Sequence, residues 1–130
     1  MINKENAEQT IKAITLDEVA SFNIDWFFMK ISSMIMTVEE FLALDKSIPK
    51  TACIAGIASI LSGAKNGLAW DVAQAWLELD DDETSWLFEG HFSKRAIKRH
   101  ITKEEAIEAI QWLIDGHEIF NDTLENIKAS

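Results

Sequence analysis

The chain has 130 residues, the length of one domain, and a domain of this size buries enough surface to fold without disulfides or a metal ion. Its 48% apolar content excludes intrinsic disorder, and one proline with five glycines argues against an all-β fold rich in turns. Twenty-two acidic and twelve basic residues give a net charge of −10, so we expect basic partners and no direct nucleic-acid binding.

The cysteine content and the first residues bear on the cellular compartment. Cys53 is the only cysteine, so no internal disulfide can form, and the opening residues MINKENAEQT lack the apolar run of a signal peptide. The apolar stretch 51–63 is shorter than the roughly 20 residues that span a bilayer. We therefore predict a cytoplasmic protein without a membrane partner.

The N-terminal third predicts short helices. Asn3 can cap a first helix that runs to about Ala13. Residues 15–18, TLDE, have the capping-box pattern of Thr followed three positions later by Glu, which predicts a second helix. The stretch 26–36 has no clear period and fits a loop, a strand or a helix, of which we favour an irregular or helical form. Residues 37–40, TVEE, form another capping box, and the helix they open should end within 45–49.

The stretch 51–63, TACIAGIASILSG, carries no charged residue, and its apolar side chains point all round a helix. Such a helix must be buried on every side, so we predict that the rest of the chain packs around it. Lys50 or Thr51 would cap it and Gly63 would end it, while Gly56 lets a neighbouring element approach closely.

The C-terminal half predicts five further helices. They cover 68–79, 80–90 with Asp80 as the cap, the basic stretch 93–100 with Ser93 as the cap, 102–116 with a third capping box at Thr102, and 117–128. The whole pattern predicts an all-α fold: one compact helical domain, 1–130, of seven or eight short helices around the central helix 51–63.

Candidate catalytic and metal-binding residues are few. Cys53 could be a nucleophile, but within an apolar helix a thiol packs as a small hydrophobe and its pKa rises. The three histidines, at 91, 100 and 117, have none of the spacings that zinc sites use. We therefore assign no catalytic residue, no metal ligand and no cofactor, and we predict that the protein is not an enzyme.

The charge distribution gives the main functional hypothesis. Seven acids and no base lie between 71 and 89, and a basic run follows at 94–99. The acids could form only a solvated face. Alternatively, they dock a basic protein partner, with exposed aromatic side chains as anchors. The predicted partner-binding residues are Asp80, Asp81, Asp82, Glu83, Trp86 and Glu89. We expect most of the five tryptophans, at 26, 70, 76, 86 and 112, to lie in the core, with one or two partly exposed.

Three stretches resemble an uncharacterised family of small bacterial and phage proteins: FNIDWFF (22–28), TACIAGIASIL (51–61) and AWLELDDDETSWLF (75–88). That family pairs a Phe-x-Met-x-x-Trp segment with a Cys-Ile-Ala-Gly helix and a Leu-Gly-Leu segment followed by acids and Leu-Phe. Here Ile24 replaces the Met, Trp26 comes one residue early and Glu78 replaces the Gly. Pro49, Lys50 and Thr51 also stand where a Gly-Thr often precedes the Cys helix. The resemblance implies a shared fold and a phage context, and it carries no assigned activity.

Three functional hypotheses follow. The first is a non-catalytic acidic protein-binding module, with the phage context of the resemblance suggesting an inhibitor or modulator of host nucleic-acid-handling or defence machinery, in the manner of an anti-CRISPR protein. The second is a small-molecule-binding or enzymatic domain with a pocket near Cys53, which would need a polar cavity with converging His or Asp side chains. The third is an oligomeric scaffold.

Overall fold

The computed structural model of the protein describes residues 1–24, 27–30, 34–45, 47–95 and 100–129. Within them the chain forms seven α-helices and four short β-strands. In chain order these are α1 (Lys4–Leu16), β1 (Ser21–Phe22), β2 (Phe28–Lys30), β3 (Met34–Ile35), α2 (Val38–Ala43), β4 (Lys50–Ala52), α3 (Ile54–Leu61), α4 (Ala69–Leu77), α5 (Asp81–Phe88), α6 (Lys103–Ile114) and α7 (Leu124–Ala129).

The all-α prediction is wrong, because a small mixed sheet lies among the helices. Its strand order is β1-β4-β2-β3, with β1 parallel to β4 and the other neighbours antiparallel. Thr51 in β4 lies opposite Ser21 on one side and Met29 on the other. Strands of two or three residues are too short to show the alternation that identifies a strand in sequence. The expectation of irregular or helical structure within 26–36 is corrected by β2 and β3, while 26 and 31–33 lie outside the described residues.

The predicted central helix begins later than the sequence suggested. Its first residues form β4, and Cys53 has extended backbone at the N-cap position of α3, without a side-chain cap. Capping by Lys50 or Thr51 is therefore wrong. The burial prediction is confirmed for most of α3, because its first six residues, 54–59, are all buried. Gly63 has the left-handed backbone predicted for the end of this helix, with φ of 83°.

The first helix confirms one predicted cap and corrects another. Asn3 accepts a hydrogen bond from the backbone N–H of Asn6 and caps α1. The helix predicted to start at 15–18 does not form, because α1 continues to Leu16 and the Thr15 hydroxyl donates to the Ile11 carbonyl. Asp17 then ends α1 in the left-handed conformation.

The two other predicted capping boxes, at Thr37 and Thr102, are confirmed, and the predicted cap Asp80 also forms one. Thr37, Asp80 and Thr102 each accept a hydrogen bond from the backbone of the glutamate three positions on, whose side chain accepts one in return. Gly90 and Gly116 follow α5 and α6 with positive φ.

Two helix predictions near the C-terminus do not hold as stated. Residues 93–95 of the predicted basic helix are not helical, and 96–99 lie outside the described residues. The last helix begins at Leu124 rather than at 117, because the Thr123 hydroxyl accepts a hydrogen bond from the backbone of Asn126 at the start of α7. Residues 117–123 form a loop in which Phe120 and Asn121 have φ of 51° and 54°.

The core is continuous through the helices and the sheet. Helix α3 packs against α4 and α1, and α1 also packs against α6. In the described part of the chain, no helix is long and apolar enough to cross a membrane.

Candidate binding groove

A groove of about 400 Å³ lies where the N-terminal end of α5 meets the loop after α6. Its lining residues are Met1, Asp80, Asp82, Glu83, Leu113, Gly116, His117, Glu118, Ile119, Phe120 and Asn121. Three of the six residues predicted for partner binding therefore lie together, beside four apolar side chains that the sequence analysis did not select. Among these described lining residues four are acidic and none is Lys or Arg.

Helix capping holds two of the groove acids in place. Asp80 Oδ1 accepts a hydrogen bond from the backbone N–H of Glu83 at 2.7 Å, and Glu83 Oε1 accepts one from the backbone N–H of Asp80 at 3.0 Å. Each carboxylate uses one oxygen in this exchange. The second oxygen of each can still accept a hydrogen bond from a ligand, so capping and binding are compatible at this turn.

Asp81 and Glu89 lie outside the groove. Asp81 Oδ1 accepts a hydrogen bond from Gln74 Nε2 at 3.0 Å, which ties it to α4. Glu89 follows the C-terminal end of α5, roughly 12 Å of helix away from Asp81. Its carboxylate accepts hydrogen bonds from Ser85 Oγ and from His91 Nε2, and these contacts, with the Ser85 hydroxyl as the larger cause, hold the pKa of Glu89 below its usual value.

Trp86 is not a surface residue. Its side chain is only 2% exposed, with its ring 5.7 Å from that of Phe92. The indole Nε1 donates a hydrogen bond to the backbone carbonyl of Asp122 at 2.6 Å. A buried Trp86 cannot be the exposed aromatic anchor that the sequence analysis proposed, so we do not count it among the partner-contacting residues. Trp70, Trp76 and Trp112 are half-buried and pack against the core, and Trp26 lies outside the described residues.

The apolar part of the groove consists of two exposed and two buried side chains. Met1 is 84% exposed and Phe120 is 68% exposed, whereas Ile119 and Leu113 are buried beneath them. Aromatic and methionine side chains that remain exposed next to a groove are typical of interaction sites. The groove thus combines negative charge with apolar surface that is open to solvent.

The loop that carries Phe120 is fastened to α6. Trp112 Nε1 donates a hydrogen bond to the Glu118 carbonyl at 3.0 Å, and the His117 ring lies 4.2 Å from the Trp112 ring. The sequence does indicate a loop here, because Asn121, Asp122 and Thr123 are typical turn and helix-cap residues and follow Gly116 closely. A helix over 117–128 was predicted instead, because the spacing of Phe120, Leu124 and Ile127 also fits a helix.

A second charged groove lies between α6 and α7, and its acids, unlike those of the first groove, are paired with basic side chains. There, Glu105 pairs with Arg95 at 2.6 Å, Lys94 pairs with Glu125 at 3.9 Å, and Lys128 donates to Glu108. Burial raises the pKa of Glu105, but hydrogen bonds from the Arg95 side chain, the Thr102 backbone and the Ser93 side chain together outweigh it and hold the pKa below its usual value. Negative charge in the second groove is therefore balanced within the chain. In the first groove, the only basic groups on the described lining residues are the Met1 amino group and the His117 ring, and none of the four acids forms an ion pair with another described residue.

Cys53 has the environment of a packing residue. Its side chain is 2% exposed, and burial raises the pKa of the thiol to about 11, although the backbone N–H groups of Gly56 and Ala55 act in the opposite direction. At neutral pH the thiol is therefore neutral. Across the described residues, no three His, Cys, Asp or Glu side chains lie close enough together to hold a metal ion.

Comparisons of this chain with protein-family models, curated proteins and solved structures find no match.

Proposed function

We propose that the protein is a non-catalytic binding module that docks a basic protein through the groove beside Asp80. The observation that carries this proposal is the lining itself. Its described residues include four carboxylates, no Lys or Arg, and two exposed apolar side chains, Met1 and Phe120. Complementary charge steers partners together and selects among them, while buried apolar anchors supply most of the affinity.

A basic protein is a better partner than a nucleic acid for a surface of this sign. The net charge of −10 opposes contact with phosphates. The natural targets are proteins with exposed arginine and lysine, and proteins that handle nucleic acids are rich in such surfaces. Occupying that surface would compete with nucleic acid, so we propose that the module inhibits or modulates a nucleic-acid-handling or defence complex.

The chemistry around Cys53 supports a binding role over a catalytic one. A nucleophilic cysteine needs its thiolate and access to substrate. The raised pKa and the burial of Cys53 oppose both. The histidine that lines the groove, His117, has its ring against that of Trp112.

The proposal can be tested with immobilised protein in a host cell extract. We expect the parent to retain basic proteins that a groove variant, Asp80→Asn with Asp82→Asn and Glu83→Gln, no longer retains. The Asn and Gln side chains preserve the capping box, so the fold should remain intact. Asp81→Asn is the positional control, because Asp81 lies in the same turn but contacts Gln74.

The control variant should retain the same proteins as the parent. Identical retained sets for the parent and the groove variant would refute docking at this site. A retained set without basic proteins would refute the partner class.

A further inference from the structure

We propose that the occupant of the groove is a short linear segment of the partner, in which one apolar side chain has arginine or lysine on both sides. This inference rests on the proposed function, and it adds the form in which the basic partner presents its charge. Three properties of the groove lead to it: the placement of its acids, its exposed apolar surface and its size.

The four acids of the groove come from two different segments of the chain. Asp80, Asp82 and Glu83 come from the start of α5, and Glu118 comes from the loop after α6. No three acidic, His or Cys side chains of the described residues are close enough to hold a metal ion together. Negative charge arranged in this way suits several separate cationic groups, as on neighbouring Arg or Lys residues, better than a single ion.

The apolar surface of the groove calls for an uncharged side chain between those bases. Phe120 is 68% exposed and Met1 is 84% exposed, and Ile119 continues the apolar surface inward. Charged groups alone would leave this surface in water. A leucine-sized or aromatic side chain would bury it, and such a buried anchor is where the affinity of most interfaces is concentrated.

The size of the groove favours a peptide over a folded surface. A volume of about 400 Å³ is at the lower end of the range of ligand pockets and holds a few side chains. A linear segment can enter such a groove and place an anchor within it, whereas a flat basic surface would meet only its rim.

The test uses a fluorescent peptide of sequence Gly-Arg-Arg-Leu-Arg-Arg-Gly and two matched peptides. One replaces Leu with Gly, and the other replaces the four Arg with Gln. Fluorescence anisotropy at low and at physiological salt gives the dissociation constants. We expect the Leu peptide to bind at least tenfold more tightly than either matched peptide, and to weaken as salt rises.

Protein variants assign the binding to the groove. The pair Asp82→Asn with Glu118→Gln should weaken the Leu peptide about five- to tenfold, and Phe120→Gly about tenfold. The control pair Glu8→Gln with Glu39→Gln removes the same charge from exposed helix positions outside this groove. It should change the affinity less than twofold.

Four results would overturn the inference, and they separate it from the proposed function. Equal binding of the Leu and Gly peptides would mean that the partner offers charge alone, and docking of a basic protein would stand. Failure of all three peptides, while basic proteins are retained through the groove acids, would make a folded surface the occupant. A parent protein that dimerises, and becomes monomeric in the Asp82→Asn, Glu118→Gln variant, would make a second copy the occupant. Failure of both the peptides and the retained proteins would refute the proposed function as well.

Discussion

Trp86 donates a hydrogen bond from its indole Nε1 to the backbone carbonyl of Asp122, 36 residues later in the chain, at 2.6 Å. This bond joins α5, whose N-cap and first turn carry three of the four groove acids, to the end of the loop that carries Phe120. Because the ring is buried and the bond is part-buried, the contact fixes the two sides of the groove relative to each other.

Trp86→Phe should therefore destabilise the protein and loosen the groove. The change leaves the Asp122 carbonyl without its indole donor and removes part of a buried ring, so we expect a loss of about 1–3 kcal/mol in the free energy of unfolding. Urea denaturation measures it. Trp112→Phe is the control: its indole donates to the Glu118 carbonyl at 3.0 Å, but the ring is only half-buried and water can replace the bond, so the loss should stay below about 1 kcal/mol. Equal losses would refute the special role of Trp86.

Gly56 is packed against the backbone of Phe27. A Cβ added to Gly56 would lie 1.9 Å from the Phe27 carbonyl oxygen, and backbone atoms cannot yield as a flexible side chain can. Gly56→Ala should cost at least about 3 kcal/mol of unfolding free energy, and Gly56→Leu more. Gly63→Ala is the comparison, because nothing lies within 4 Å of its added Cβ and only the left-handed backbone, with φ of 83°, opposes the change. We expect about 1 kcal/mol there. Thermal unfolding of the two alanine variants should therefore differ by many degrees, and similar melting temperatures would contradict the close approach.

Much of the fold could be predicted from local signals. The caps at Asn3, Thr37, Asp80 and Thr102 depend on hydrogen bonds across three residues, so they leave a local pattern in the sequence. The same pattern at 15–18 caps no helix, because α1 runs through its first residues. The sheet could not be predicted in this way. The pairing of Thr51 with Ser21 and Met29 joins residues that are distant in sequence, in strands too short to show a period. The stretch 51–63, which has no charged residue and covers most of β4 and all of α3, also hid the boundary at Cys53.

The groove was predictable in part for the same reasons. The density of acids identified Asp80, Asp82 and Glu83, since charge is visible in composition. The contributions of Met1, Glu118 and Phe120 depend on a loop returning to the start of α5, which is a tertiary relationship. Trp86, in contrast, was selected although it is buried. An aromatic residue within an acidic stretch suggests exposure, but the Trp86 side of α5 faces the core.

Phe120 provides a test that separates stability from binding. Its φ of 51° is unfavourable for an aromatic residue, and its ring is mostly exposed, so Phe120→Gly relieves strain and loses little burial. We expect the unfolding free energy to stay the same or to rise by up to about 1 kcal/mol, while binding of the arginine-rich peptide weakens. Asn121→Gly, with φ of 54°, relieves similar strain and keeps the ring, so it should retain binding. Loss of binding in both variants would assign the effect to loop conformation rather than to the ring.

Cys53 should make stability fall at alkaline pH. Burial raises the pKa of its thiol from 9.0 to about 11, so the folded state disfavours the thiolate. The contribution of the neutral thiol to folding is fully present below pH 9 and is lost as the pH rises towards 11. Chemical denaturation between pH 8 and 11 should show this fall, and it should be smaller in Cys53→Ala. The same slope in both proteins would contradict the raised pKa.

The central claim is that the groove beside Asp80 is where a basic segment docks. The most direct measurement is a titration of isotope-labelled protein with the arginine-leucine peptide, followed by two-dimensional amide NMR. We predict progressive shifts of the amides at 80–83 and 116–121, with little change at Glu89 and at Asp17, which lie on other parts of the surface. Shifts confined to residues outside the groove, or an unchanged spectrum at millimolar peptide, would contradict the claim.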